Sequence, residues 1–198
     1  MSQYSHLSTI DPEFAAIADQ LSRNPPVDDV VARRGPTNGI LQEYLKSYLP
    51  AELRVVDHKV PVEAGEITVR SLVPSAATKG KTFPLLVWFH GGGFTFGDLN
   101  NDDYRLRILC VKLQLAVVNV EYRLAPEHPY PVPWNDAYTA TKWAAENASL
   151  LSASLDEGFI VAGLSAGANL AGYIAHRARL LEDTPNWPCD ASPTRAES

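Results

Sequence analysis

From residue 84 onward the chain alternates short apolar runs with stretches of helical spacing, and this limits its possible folds more than any other feature. Leu85-Leu86-Val87-Trp88-Phe89, Ala116-Val117-Val118-Asn119-Val120 and Phe159-Ile160-Val161-Ala162 are nearly unbroken apolar runs. Runs of this kind read as strands buried on both faces. Residues 102–114, 134–148 and 166–181 follow them in turn with helical spacing, the first through a stripe of Tyr104, Ile108, Val111 and Leu115. Strand then helix, three times over, predicts a mostly parallel sheet with helices on both faces, an α/β fold. Ahead of it, Val55–Val62 and Ile67–Val73 flank Glu63-Ala64-Gly65-Glu66 and read as a hairpin.

Residues 11–49 read as two short helices, one striped by Phe14, Ile17 and Leu21, the other by Ile40, Leu41, Tyr44, Leu45 and Tyr48. From Glu182 to Ser198, prolines at 185, 188 and 193 among small polar residues give no periodicity. The expected organisation is a helical segment over 1–50, an α/β core over 51–181 and an irregular tail over 182–198. Nothing after Leu181 has strand periodicity, so one edge of the 159–162 strand is expected to lack a partner, and the sheet to be incomplete on its C-terminal side.

Composition narrows the function classes. A hydrophobic fraction of 45% suits a chain that buries a sizeable core, and a net charge of −6 argues against a nucleic-acid binder. Cys110 and Cys189 are too few for a disulfide framework or a structural zinc site, and Cys110 falls in an apolar run as a core residue. The first ten residues lack the basic and apolar regions of a signal peptide, and no run is long enough for a membrane span. A cytoplasmic protein is the expectation.

Two glycine motifs carry the chemistry. Phe159–Ala162 leads into Gly163-Leu164-Ser165-Ala166-Gly167 and then a helix rich in small residues. A serine on so tight a turn leaves no room for Cβ atoms two positions to either side, which accounts for Gly163 and Gly167. The helix opening at Ala166 turns its free N–H groups and positive dipole end toward the serine. Seventy-five positions upstream, Leu85–Phe89 leads into His90-Gly91-Gly92-Gly93-Phe94. Successive glycines are entropically expensive and make sense where backbone amides must face a ligand. A phosphate cradle would need a following Lys-Ser/Thr pair, which is missing. The pair of motifs therefore points to acyl transfer.

With these motifs, Glu121-Tyr122-Arg123-Leu124-Ala125-Pro126-Glu127-His128-Pro129 and Asn135-Asp136-Ala137-Tyr138 complete a set that resembles the hormone-sensitive-lipase-like family of α/β-hydrolases over roughly residues 50–181. The resemblance implies an α/β-hydrolase fold and a serine esterase or lipase-like activity on small-molecule esters, without cofactor or metal. It implies Ser165 as nucleophile, Gly91, Gly92 and Ala166 as backbone oxyanion donors, and His90, Gly93, Gly163 and Gly167 as motif support. Residues 11–49 would correspond to the cap segment over the acyl pocket. Leu164 stands where the family usually has aspartate, and Ala168 where it has glycine.

In this fold the triad runs Ser, then Asp or Glu, then His, and the family's later acid and base motifs have no counterpart. His176 lies eleven residues beyond Ser165 on the same helix, about 16 Å away at 1.5 Å per residue. His128 sits in a loop and His90 is expected to fix its own. The expectation is the N-terminal part of a longer serine ester hydrolase, carrying the nucleophile and oxyanion donors without the triad Asp and His. The alternative is a ligand-binding, receptor-like protein on the same scaffold.

Overall fold

The computed structural model describes residues 52–75 and 81–180, with positions 11, 12, 15, 31, 32 and 34 before them. The chain divides into two compact units, Met1–Arg33 and Arg34–Ser198. In the first, the Ala15 amide donates to the Asp11 carbonyl at 2.8 Å, closing a helical turn. The two apolar stripes expected in 11–49 and the irregular tail from 182 lie outside the described residues.

In the second unit β1 (Leu53–Val62) and β2 (Gly65–Pro74) form a hairpin, followed by β3 (Leu85–Phe89), α1 (Asp103–Leu113), β4 (Ala116–Glu121), α2 (Val132–Glu146), β5 (Phe159–Gly163) and α3 (Ala166–Leu180). The five strands make one sheet in the order β1-β2-β4-β3-β5. It is mixed: β1 with β2 and β2 with β4 run antiparallel, while β3 runs parallel to both β4 and β5. The α/β-hydrolase fold expected from the sequence is borne out.

Helices cover both faces. On one, Leu85, Val87 and Phe89 of β3 and Val118 and Val120 of β4 pack with Ala137, Ala140 and Ala144 of α2 and Leu170 and Ile174 of α3. On the other, Leu86, Val117 and Leu72 meet Leu106 and Cys110 of α1. Cys110 is fully buried, and burial pushes its thiol pKa up to about 12, so it behaves as the core residue expected.

Three local expectations are corrected. The hairpin pairs Val62 directly with Gly65, so Gly65 and Glu66 belong to β2 and only Glu63 and Ala64 turn; Ala64 takes the left-handed φ of 56°. The buried face of α1 is Asp103, Leu106 and Cys110, not the stripe through Tyr104, Ile108 and Val111. The true stripe is masked in sequence by a buried carboxylate, tolerated there because Arg107 and Arg70 both reach Asp103. The 159–162 strand is not buried on both faces. Among the described residues β5 pairs with β3 alone, and Ile160 is 44% exposed.

Candidate active site

β3 and β5 lie side by side and parallel, with Phe89 level with Gly163. The two glycine motifs therefore leave the sheet together, at the carboxyl ends of neighbouring strands where open α/β sheets bind ligands. Ser165 is the second of the two residues between β5 and α3 and has φ of 53°, a left-handed conformation that costs a non-glycine residue about 1 kcal/mol or more. The Asn169 amide donates to the Ser165 carbonyl at 3.1 Å and the Gly167 amide to the Leu164 carbonyl at 2.8 Å, so the turn runs directly into the helix.

Crowding explains the glycines of this turn. A Cβ on Gly167 would stand 2.0 Å from the Phe89 carbonyl oxygen, and one on Gly163 would stand 2.4 Å from the Gly167 carbonyl carbon. Both collisions are with backbone, which has nowhere to go. Across the gap, a Cβ on Gly91 would lie 3.0 Å from the Leu164 carbonyl oxygen and 3.5 Å from the Ser165 Cβ. The structure thus brings Gly91 against Ser165. Gly92 adopts φ of 122° and Gly93 φ of 60°; a Cβ on Gly92 would strike the Phe96 carbonyl oxygen at 2.2 Å. Among the described residues the amides of Gly91 and Gly92 donate no backbone hydrogen bond. Ala166 opens α3, where the first amides have no partner within the helix.

His90 is buried and neutral. Its Nδ1–H donates to the Gly91 carbonyl at 2.7 Å, which leaves Nε2 unprotonated, enclosed and without a partner. Burial lowers its pKa. The ring stacks on Tyr122 with centroids 4.3 Å apart, and the Tyr122 hydroxyl donates to the His90 carbonyl at 2.8 Å. Gly97 makes this possible, because a Cβ there would stand 2.2 Å from His90 Nδ1.

The other described histidines lie elsewhere. His58 Nε2 is 2.8 Å from Ser71 Oγ on the hairpin, His128 donates its amide to the Leu124 carbonyl, and His176 is exposed on α3. Among the described residues no imidazole is hydrogen-bonded to Ser165, and no cluster of three or more His, Cys, Asp or Glu is placed to share a metal ion. None of their helices is long and apolar enough to cross a membrane.

The 121–129 and 135–138 motifs are scaffold. Asp136, 1% exposed, accepts from Arg123 Nε at 2.8 Å, from its terminal nitrogen at 2.7 Å and from its amide at 3.1 Å. This pair pins the 122–125 segment to α2. Sequence reasoning assigned no role to Tyr122, Gly97 or Arg34. Tyr122 at least lies in a quoted motif; Arg34, whose guanidinium reaches the glycine loop, has no local signal at all.

Comparison with known proteins agrees with this geometry. A family profile described as the α/β-hydrolase fold matches residues 86–189. The chain belongs to the hormone-sensitive-lipase-like family of α/β-hydrolases. It is 38% identical over 176 residues to esterase LipI of Mycobacterium tuberculosis, covering 89% of this chain and 54% of the relative. It is 40% identical over 152 residues to the carboxylic ester hydrolase LipN of the same organism, covering 77% and 39%. Among solved structures, vibralactone cyclase superposes with a TM-score of 0.78 at 39% identity, covering 90% of this chain and 55% of that one. An esterase of Pyrobaculum calidifontis does so at 0.71 and 35%, covering 86% and 53%. The chain spans about half the length of the family relatives it matches.

Proposed function

We propose that this chain carries the nucleophile half of a carboxylic ester hydrolase, with Ser165 attacking the ester carbonyl. The observation that carries this reading is the strained Ser165 turn with the Gly91 backbone packed against it. The Ser165 hydroxyl gives up its proton to water as Oγ bonds to the carbonyl carbon, the carbonyl oxygen becomes an oxyanion, and the amides of Gly91, Gly92 and Ala166 receive it. Collapse breaks the bond to the alkoxide, which takes a proton from water and leaves as the alcohol, and an acyl-serine remains. A second water gives up a proton as it attacks the acyl carbon, and the serine oxygen is released and reprotonated as the acid departs. His90, Gly93, Gly163 and Gly167 shape the two turns. The names of the relatives, esterase and carboxylic ester hydrolase, support small-molecule esters as substrates.

Serine attack at full rate needs an imidazole base oriented by a carboxylate. His58 Nε2 is engaged by Ser71 Oγ, and the free Nε2 of His90 is enclosed and makes no hydrogen bond to Ser165. His128 lies in the 125–129 loop, and His176 projects from α3 eleven residues beyond the serine. We infer that no described histidine supplies the base, so the described residues by themselves retain oxyanion and binding effects, on the order of 10³–10⁴-fold over water. The same placement favours a second reading, a ligand-binding protein without turnover on this scaffold.

Hydrolysis of p-nitrophenyl acetate by the 198-residue chain and by Ser165→Ala separates these. Weak hydrolysis abolished by the substitution is the expected result. Hydrolysis equal in both proteins contradicts the role of Ser165, and ligand binding without any turnover favours the second reading. A kcat/KM of about 10⁴ M⁻¹s⁻¹ or more would show that the chain contains its own base.

A further inference from the structure

Within the glycine loop three hydrogen bonds converge on one atom, beside the bond from the His90 ring to the Gly91 carbonyl. The amides of Thr95 and Phe96 and the Thr95 hydroxyl each donate to the Gly92 carbonyl, at 3.1, 2.9 and 3.3 Å. These bonds close the turn but do not set its tilt against the sheet. That tilt decides where the Gly91 and Gly92 amides point.

Contacts from outside the loop supply it. The Ala125 amide donates to the Phe94 carbonyl at 2.9 Å, and the Phe94 ring, held at a left-handed φ of 62°, stacks on Trp134 with centroids 4.4 Å apart. Beside this contact Arg34 Nε donates to the Thr95 carbonyl at 2.7 Å, and a terminal nitrogen donates to the Ala125 carbonyl at 2.6 Å. The same guanidinium grips both Glu127 carboxylate oxygens at 2.8 Å. One side chain, 61 residues before Thr95 and 91 before Ala125 in sequence, therefore ties two loops that otherwise share one backbone bond.

From this geometry we propose that Arg34 is a positioning residue for the oxyanion loop. Its planar fork holds the Thr95 carbonyl against the 125–127 loop and so sets the direction of the Gly91 and Gly92 amides. The proposal rests on the reading of Ser165 and its oxyanion donors given above. Only a guanidinium can meet these acceptors together; a lysine ammonium on its flexible stem cannot. The Arg34 side chain is 21% exposed, so the fork is partly shielded from competing water. Its bond holds the Glu127 carboxyl below the usual carboxylate range, so the pair stays charged through neutral pH. A cavity of about 250 Å³ lined by Arg34, Glu121, Tyr122 and His128 adjoins the fork and gives a small cation a way in.

The test compares the full chain with Arg34→Ala and Arg34→Lys by two readouts. The first is amide hydrogen exchange of residues 92–97 against that of β3 and β4. The second is kcat and KM on p-nitrophenyl acetate, with and without millimolar guanidinium. A loosened loop misplaces donors used only in the transition state, so kcat of Arg34→Ala should fall about 10²-fold with KM little changed. Exchange at 92–97 should rise while β3 and β4 stay protected, and guanidinium should restore part of kcat. Arg34→Lys, which keeps the charge and loses the fork, should shift both readouts in the same direction to a lesser extent. Unchanged exchange at 92–97 in both variants, or kcat within about threefold of the parent, overturns the proposal. If Ser165→Ala hydrolyses as well as the parent, the ester-hydrolase reading fails instead, and exchange alone then decides whether Arg34 holds the loop.

Discussion

The two glycine turns meet at Ser165 but are held in different ways. The elbow over 163–167 is locked by main-chain crowding: a Cβ on Gly163 or Gly167 would overlap main-chain atoms of the elbow or of the end of β3 at 2.0–2.6 Å. The loop over 90–97 is held from outside, by Tyr122 stacked on His90, Trp134 under Phe94, Ala125 on the Phe94 carbonyl and Arg34 on the Thr95 carbonyl. A turn made by main-chain crowding tolerates nothing at its glycines and depends little on remote side chains. A turn made by remote partners can be loosened without touching its own sequence.

That contrast predicts a graded series. Gly167→Ala should have the largest effect, because the added Cβ meets the Phe89 carbonyl at 2.0 Å and the strand or the helix must move. Thermal or denaturant unfolding should show destabilisation of about 3 kcal/mol or more. Gly91→Ala places its Cβ at 3.0 Å from the Leu164 carbonyl, a contact that a few tenths of an ångström relieve. Its stability should stay within about 1 kcal/mol of the parent, while esterase kcat falls as the amide beside Ser165 shifts. If Gly91→Ala unfolds the chain as readily as Gly167→Ala, the distinction between a locked and a tethered turn is lost.

A smaller effect comes from pH. His90 has a folded-state pKa lowered below 6.5 by burial, so the unfolded state binds its proton first. The sign follows: its contribution to stability is complete above pH 6.5 and is lost as pH falls through the lowered folded value. Titration of the His90 ring by NMR should therefore have its midpoint below 6.5. A His90 midpoint above 6.5 would contradict the buried, singly protonated ring. The smallest effect has the opposite sign. Gly172 lies in α3 with nothing within 4 Å of its Cβ position, so Gly172→Ala should stabilise by about 0.5–1 kcal/mol through helix propensity alone.

The same contrast explains what was legible in the sequence. The elbow could be read because its cause is local: an apolar strand, glycines at fixed offsets and a helix of small residues all lie within 159–175. The strands Leu85–Phe89 and Ala116–Val120 were legible for the same reason, since their apolar character is their burial. The phase of α1 was not, because its inner face includes Asp103, a carboxylate made tolerable by Arg70 and Arg107 from two different elements. The exposure of β5 was half legible: an edge without a partner among the described residues agrees with the lack of a later strand pattern, but its apolar residues predicted burial that Ile160 does not have. Arg34 gave no signal, because its partners lie 61 to 93 residues away and two of its four bonds end on backbone carbonyls, which no side-chain pattern reveals.

The central claim is that the two turns build one acyl-transfer site around a single serine. Incubating the 198-residue chain with a fluorophosphonate and mapping the adduct by peptide mass spectrometry tests this most directly. The account predicts slow phosphonylation at Ser165 alone, absent from Ser165→Ala. An adduct on another residue, or a Ser165 that stays unmodified under prolonged exposure, would contradict it.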